Sequence, residues 1–336
     1  TTPESRDLQE LLRHMANEGC SHIVMEVSSH SLALNRVAGL TFDVAVFTNL
    51  TQDHLDFHGT MDEYAKAKAL LFRQCRKAVI NVDDEWAETM LASAEGKPVL
   101  TCSAEKTGVG LMAKDLRLSA SGIRFCALKD NRLERVELGI PCRFTVDNAL
   151  CVLGCGLQLG IPLSDCCTAL RTAQGVKGRV EVVPTGRDFH ILIDYAHTPD
   201  ALENLLLSLR KVTPGRLLVL FGCGGDRDKG KRPIMGEIAE RCADLAIVTS
   251  DNPRTEDPEA IIADILAGMK GKKSRRLVIA DRREAIDRAI RQCRSGDLLV
   301  LAGKGHEDYQ IVGTEKRHMD ERELAAEALA RLPEKD

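Results

Sequence analysis

At 336 residues, with 44% apolar residues, 29% charged residues and a net charge of −4, the chain has the make-up of two ordinary globular domains. No apolar run is long enough to span a bilayer, no signal peptide is visible and no basic block is present, so membrane insertion and nucleic-acid binding fall outside the expected function classes. Twelve cysteines are scattered without a Cys-x-x-Cys pair, which reads as thiols packed in helices, in a reducing cytoplasm, rather than as disulfides or zinc ligands.

Short β-like runs come first: His22 to Val27, Asp43 to Asn49, Ala78 to Val82 and Pro98 to Thr101. Helical patterns separate them, from Asp62 to Cys75 and from Trp86 to Ala94, which is the rhythm of a parallel sheet with helices on its faces. From Gly108 to Pro141 the pattern shortens and acquires Gly and Asp-Asn turns, predicting a small antiparallel addition. Two helices follow, near Asp147 to Leu159 and Leu163 to Ala173. Gly175-Val176-Lys177-Gly178 then reads as a hinge. Beyond it, a new strand pattern at Val180 leads to predicted strands at His190 to Ile193, Leu217 to Phe221, Leu245 to Val248, Leu277 to Ile279 and Leu298 to Leu301. The expected fold is therefore α/β: two consecutive Rossmann-like three-layer domains with mostly parallel sheets, residues 1–177 and 178–336.

Ligands of such sheets bind outside the carboxyl ends of the strands, and the polar sets fall there. Ser250-Asp251-Asn252-Pro253-Arg254 follows Leu245 to Val248 and offers a carboxylate, an amide and a guanidinium, a set suited to a small molecule with both an amine and a carboxylate. Taken alone it also reads as a polar strand-to-helix turn, with Asp257-Pro258-Glu259 opening the next helix. Asp194 to Asp200 and Gly303 to Asp308 occupy equivalent places. Glu26 to His30 and Thr48 to His58 end two predicted neighbouring strands, and together they make a plausible Mg²⁺ and phosphate site through Glu26 and His54. Lys66 and Lys68 lie among alanines in a helical run, where partial burial would raise an amine's reactivity. Gly225 to Lys231 matches the first seven positions of a phosphate-binding loop, but Arg232 replaces the required Ser or Thr, and Asp226 and Asp228 would repel phosphate. That segment is expected not to bind ATP.

Taken together, Thr1-Thr2, Glu26 to His30, Asn49 to Gly59, Tyr64 to Phe72, Asp147 to Leu150, Gly178-Arg179, Asp194 to Leu202, Gly225 to Pro233, Asp251 to Arg254 and Gly303 to Glu307 resemble the Mur ligases, ATP-dependent amino-acid-adding enzymes of peptidoglycan synthesis. The resemblance covers nearly the whole chain. It implies ATP, Mg²⁺, a UDP-N-acetylmuramoyl-dipeptide and meso-diaminopimelate as cofactors and partners, in the bacterial cytoplasm. It implies Glu26, His54 and a carbamylated Lys68 at the metal; spacing from Tyr64 selects Lys68 over Lys66. Thr1, Thr2, Ser28 and Arg36 would hold the nucleotide substrate, although Leu34 stands where relatives often have a glutamine. Asn49, Asn148, Arg179 and Asp194 would contact ATP, and Arg227, Asp251, Asn252, Arg254, Gly303 and Glu307 the amino acid, with the two hinged domains closing over the reactants.

The chain starts without a methionine and shows no P-loop, so the resemblance implies the central and C-terminal parts of a longer enzyme, expected by themselves neither to ligate nor to hydrolyse ATP. A lysine-adding or folylpolyglutamate-synthesising relative, and a non-catalytic amino-acid-binding remnant, are the alternatives.

Overall fold

The computed structural model describes residues 2–52, 54–173, 175–271 and 275–333. The chain divides into two compact units: Thr1–Leu116 with Phe125–Val136 and Val146–Arg171, and Arg117–Arg124 with Glu137–Thr145 and Thr172–Asp336. No helix among the described residues is long and apolar enough to cross a membrane, and all twelve cysteines are free thiols.

The elements up to residue 171 are α1 (Ser5–Asn17), α2 (Ser29–Ala33), β1 (Phe42–Phe47), α3 (Leu55–His58), α4 (Met61–Arg73), β2 (Cys75–Asn81), α5 (Ala87–Ser93), β3 (Val99–Ser103), β4 (Leu111–Ser119), β5 (Gly122–Lys129), β6 (Arg132–Leu138), α6 (Phe144–Gln158) and α7 (Leu163–Arg171). Their strands form one sheet in the order β1-β2-β3-β4-β5-β6, parallel from β1 to β4. The predicted antiparallel addition is present as its continuation: two-residue links join β4 to β5 and β5 to β6, and Asp130 and Asn131 both take positive φ, 48° and 62°, as a tight hairpin turn demands.

One predicted strand is absent. Residues 20–28 form no regular element, because β1 makes its ladder with β2 and is the edge of the sheet. The alternation that suggested a strand is nevertheless real: Met25 and Val27 pack toward Leu8, Leu32 and Val37, while Val24 is 99% exposed. One-sided burial produces period two with or without a hydrogen-bonded partner. Helix α4 starts where Thr60 accepts from the Glu63 N–H at 3.2 Å, a capping-box opening. It buries Tyr64, Ala65, Ala69 and Phe72 with Ile80 and Met90. That face leaves Lys66 exposed, paired with Glu63 at 2.7 Å, and Lys68 half-buried.

The second half comprises β7 (Glu181–Val183), β8 (His190–Asp194), α8 (Pro199–Arg210), β9 (Leu217–Phe221), α9 (Lys231–Cys242), β10 (Leu245–Val248), α10 (Pro258–Leu266), β11 (Arg275–Val278), α11 (Arg282–Gln292), β12 (Leu298–Ala302), β13 (Tyr309–Val312), β14 (Glu315–His318) and α12 (Glu321–Ala330). The sheet order is β11-β10-β9-β12-β8-β7, parallel throughout except that β7 runs antiparallel to β8. Separate apolar clusters cover its two faces, one including residues of α8, α9 and α10, the other residues of α11 and α12. Strands β9 and β12 are consequently buried at every residue, which explains their unbroken apolar runs. The chain steps outward through β9, β10 and β11, then returns to insert β12 between β9 and β8. The segments leaving β9, β10 and β12 therefore meet at a reversal of strand order, the usual ligand crevice of open α/β sheets.

The hairpin β13–β14 had no counterpart in the sequence reading. It braces the Asp251-to-Arg254 segment: Arg254 N–H donates to the Ile311 carbonyl at 3.1 Å, and Gly313 N–H to the Arg254 carbonyl at 2.7 Å.

Candidate functional site

In the first unit, most of the expected residues fall into one set of contacts. Thr2 is 5% exposed; its hydroxyl donates to the Glu26 carbonyl at 3.0 Å and accepts from the Ser28 N–H at 3.1 Å. Arg36 donates from Nη1 to the Thr2 carbonyl at 3.4 Å and pairs through Nη2 with Glu4 at 2.7 Å, while its buried Nε has no hydrogen-bond partner. Ser28 caps α2, so Ser29 and His30 open that helix. His58 Nε2 lies 2.8 Å from the Ser29 hydroxyl, and the His30 ring sits 4.8 Å from His54 and 5.4 Å from His58. His54 takes φ 54° at the start of α3, and its ring lies 6.0 Å from Tyr64. Lys68 Nζ is 5.4 Å from the same tyrosine ring.

His54 and Lys68 thus share Tyr64, whereas the Glu26 side chain is exposed and takes part here through its carbonyl. Asn49, just after β1, and Asn148, in the opening turns of α6, are both exposed. Thr1 lies outside the described residues. No group of three or more His, Cys, Asp or Glu side chains among the described residues is arranged to hold a metal ion. Mg²⁺ requires oxygen donors; of the three expected ligands Glu26 supplies them directly, and Lys68 would do so as a carbamate. Only the donor chemistry of Glu26 and of a carbamylated Lys68 matches that demand; His54 offers a nitrogen.

In the second unit the amino-acid set converges. Asp251 and Asn252 are 7% and 5% exposed, and Lys304 is fully buried. Lys304 Nζ donates to Asp251 Oδ1 at 3.3 Å, Asn252 Oδ1 at 3.0 Å and Glu307 Oε2 at 3.3 Å. Asn252 Nδ2 donates to Glu307 Oε2 at 2.8 Å. Arg254 stands at φ 51°, and its Nη1 donates to the Gly225 carbonyl at 2.8 Å. A side chain at Gly224 would start 2.9 Å from that Nη1 and 3.7 Å from Arg227 Cγ, so the bare glycine lets both arginines approach one place. The Tyr309 hydroxyl is pushed above its ordinary pKa, first by the negative charge of Glu307 and then by burial, while Arg254 pulls it back; it stands within reach of both signs of charge. Gly303, at φ 108°, would direct a side chain to 3.1 Å from Asp251 Oδ2.

The phosphate-loop look-alike folds inward. Asp228 Oδ1 accepts from Gly230 N–H at 2.7 Å and Asp226 Oδ1 from the Thr255 hydroxyl at 2.7 Å, so one carboxylate closes the loop and the other ties it to the segment before α10. Arg232, 1% exposed, pairs with Glu256 at 2.8 Å and Asp264 at 2.9 Å. That guanidinium, aided by the Asp226 N–H, holds Glu256 at about 2, below its ordinary 4.5. A depressed carboxylate stabilises the fold above its unfolded pKa and loses that contribution as pH falls toward the folded one. The stability difference between wild type and Glu256→Gln, read from urea midpoints, is therefore expected to be full above about pH 5 and to close between pH 4.5 and about 2. A difference unchanged across that window would show that the pair does not act as an ion pair.

Two residues expected at ATP have local duties. Both carboxylate oxygens of Asp194 accept backbone N–H groups, from Val180 and Ala196 at 2.8 Å each, and burial raises its pKa. Arg179 lies with its guanidinium carbon 4.9 Å from the Tyr195 ring centre, and Tyr195 also contacts the rings of His197 and His306. Lys304, the centre of the amino-acid set, was not among the expected site residues. The only signal in the sequence was its position between Gly303 and Glu307.

The family model for the Mur ligase middle domain matches residues 1–156, and that for the Mur ligase glutamate ligase domain matches residues 178–305. A UDP-N-acetylmuramoyl-L-alanyl-D-glutamate–2,6-diaminopimelate ligase from Caldanaerobacter subterraneus subsp. tengcongensis is 52% identical over 331 residues, covering 98% of this chain and 68% of the relative. One of the same description from Clostridium botulinum is 45% identical over 334 residues, covering 99% and 68%. A solved structure of such a ligase matches with a TM-score of 0.74 at 38% identity, over 98% of this chain and 69% of that one. The chain thus spans about two thirds of the length of these relatives. With both family domains matched in order and identity sustained from end to end, the chain belongs to the Mur ligase family.

Proposed function

We propose that this chain serves the ATP-dependent joining of meso-2,6-diaminopimelate to the D-glutamate of UDP-N-acetylmuramoyl-L-alanyl-D-glutamate, in peptidoglycan precursor synthesis in the bacterial cytoplasm. The central domain is residues 1–177 and the C-terminal domain residues 178–336. The D-glutamate γ-carboxylate attacks the γ-phosphate of ATP, breaking its bond to the bridging oxygen and releasing ADP, to give an acyl phosphate; the neutral amine of diaminopimelate then attacks the acyl carbon, loses a proton and expels inorganic phosphate to form the amide. Both steps bring anions together, so positioning and charge neutralisation are the main catalytic demands.

Thr2, Ser28 and Arg36, with Thr1, hold the nucleotide dipeptide. The unpartnered, buried Nε of Arg36 supports this, since such a donor is costly to leave unmade. The family resemblance assigns Asn49 and Asn148 of the first unit, and Arg179 and Asp194 of the second, to ATP. Glu26, His54 and carbamylated Lys68 would hold Mg²⁺, which when bound supplies positive charge to the phosphate oxygens. Lys68, half-buried and 5.4 Å from the Tyr64 ring, is a better candidate for carbamylation than the exposed Lys66.

The observation that carries the choice of amino acid is the approach of Arg254 and Arg227 to Gly224, beside the carboxylates of Asp251 and Glu307 and the amide of Asn252. Diaminopimelate ends in a carboxylate beside an amine, which a guanidinium fork and a carboxylate can read together. Lysine ends in an ammonium alone, which Arg254 repels. Isothermal titration of this chain is expected to show meso-diaminopimelate binding about 10–100-fold tighter than L-lysine, the worth of one charge-assisted contact. Fused to the N-terminal third of the 52% identical relative, the chain should make the diaminopimelate product in preference to the lysine product. Equal or tighter binding of lysine would transfer the assignment to a lysine-adding enzyme, and binding of neither would end it.

A further inference from the structure

Lys304 is an ammonium with no contact to water, and a charge in that position is tolerated only where it is paired and hydrogen-bonded. Its three N–H donors meet three acceptors: Asp251 Oδ1, Asn252 Oδ1 and Glu307 Oε2. Two consequences follow. Asn252 Oδ1 accepts both from Lys304 and from the Ile311 N–H at 2.9 Å, so the amide must point its Nδ2 at Glu307. Glu307 Oε2 then takes two donors, which leaves Oε1, unpartnered among the described residues, for an incoming group.

Asp251 is likewise held by Oδ1, with Oδ2 on the side of Gly303. Around this group lie Tyr309, with its ring centre 5.8 Å from Nζ, Lys316 over the same ring, Arg254, and Arg282 on the Ser250 and Ala302 carbonyls. Of these, Lys304 alone donates to both carboxylates. Resting on the amino-acid reading of this site, we propose that Lys304 is a positioning residue: it is the shared internal counter-ion that holds Asp251 by Oδ1 and Glu307 by Oε2, so that each presents its other oxygen to the ammonium of the incoming amino acid.

Without the Lys304 ammonium the two carboxylates, each 3.3 Å from its nitrogen, lose their common cation, and like charges sharing a site favour protonation of one. Two measurements on the chain test this. In the first, without ligand, carboxyl ¹³C NMR titration of wild type and Lys304→Met is expected to show one of the two carboxyls titrating at least about one pH unit higher in the variant. In the second, calorimetric binding of meso-diaminopimelate should weaken by at least about tenfold in Lys304→Met, and the deficit should widen as pH falls from about 7 to about 5. A purely structural defect would weaken binding equally at every pH.

Glu307→Gln and Glu307→Gln/Lys304→Met form a second comparison that survives misfolding of the single variant. With one carboxylate gone, removing Lys304 is expected to change affinity by less than about threefold. A further loss of about tenfold or more there, or unchanged carboxyl titration in Lys304→Met, would overturn the proposal. Failure of wild type to bind diaminopimelate would overturn the amino-acid reading instead, and the ligand-free titration would still decide the role of Lys304.

Discussion

Replacing Arg282 with Met is expected to lower the unfolding free energy of the second unit by about 3–5 kcal/mol, the usual consequence of breaking a buried ion pair from one side. Arg282 and Glu321 have side chains that are both 0% exposed, with Nη2 and Oε1 2.7 Å apart. The guanidinium also donates through Nε to the same oxygen at 2.9 Å, and through Nη2 to the Ala302 carbonyl at 2.9 Å. Each residue is the first of its helix, α11 and α12 respectively. Glu321 Oε2 is already buried without a partner, so without the arginine an entire carboxylate would be stranded in an apolar layer. The double variant Arg282→Met/Glu321→Met should recover most of the loss, because a matched apolar pair removes both desolvation penalties. Urea midpoints of the three variants decide the matter; a loss under about 1 kcal/mol in Arg282→Met would show that the pair is not buried in its charged form. Ser250 and Ala302, whose carbonyls Arg282 holds, immediately precede Asp251 and Gly303. The same variant should therefore weaken amino-acid binding, although Arg282 never touches the ligand.

Arg254→Ala should weaken meso-diaminopimelate binding by about 1.5–3 kcal/mol, roughly 10–150-fold, the range for a hydrogen bond to a charged group. Position 254 has φ 51°, where any side chain is strained, so Arg254→Lys is the better comparison. It keeps both the backbone strain and a positive charge but loses the planar fork that matches a carboxylate, and an intermediate loss is expected. Lysine should respond in the opposite sense, binding relatively better in Arg254→Ala once the repulsion is gone. Titration calorimetry with both amino acids reads all of these; unchanged diaminopimelate affinity in Arg254→Ala would remove this residue from the site.

Much of this was legible in the residues alone. Strands β8, β9, β10 and β12 announced themselves as apolar runs because helices cover both faces of their sheet, and α4 through its alanine face. The Asp-Asn pair at 130–131 foretold a hairpin because few residue types accept two consecutive positive φ angles. The polar ends of β10 and β12 marked the proposed amino-acid site, since the topology of a parallel sheet brings those ends together.

What the residues by themselves determined, then, was the alternation of elements, the family, and which segments carry chemistry, all of them properties of local period and local composition. Tertiary structure alone decided that 20–28 lacks a ladder, that β13–β14 braces the Arg254 segment, that both Asp194 oxygens are taken up by backbone N–H groups, and that Lys304 is buried against Asp251, 53 positions away. Pairing and burial depend on groups distant in the chain, and a lysine reads the same in sequence whether water or two carboxylates surround it.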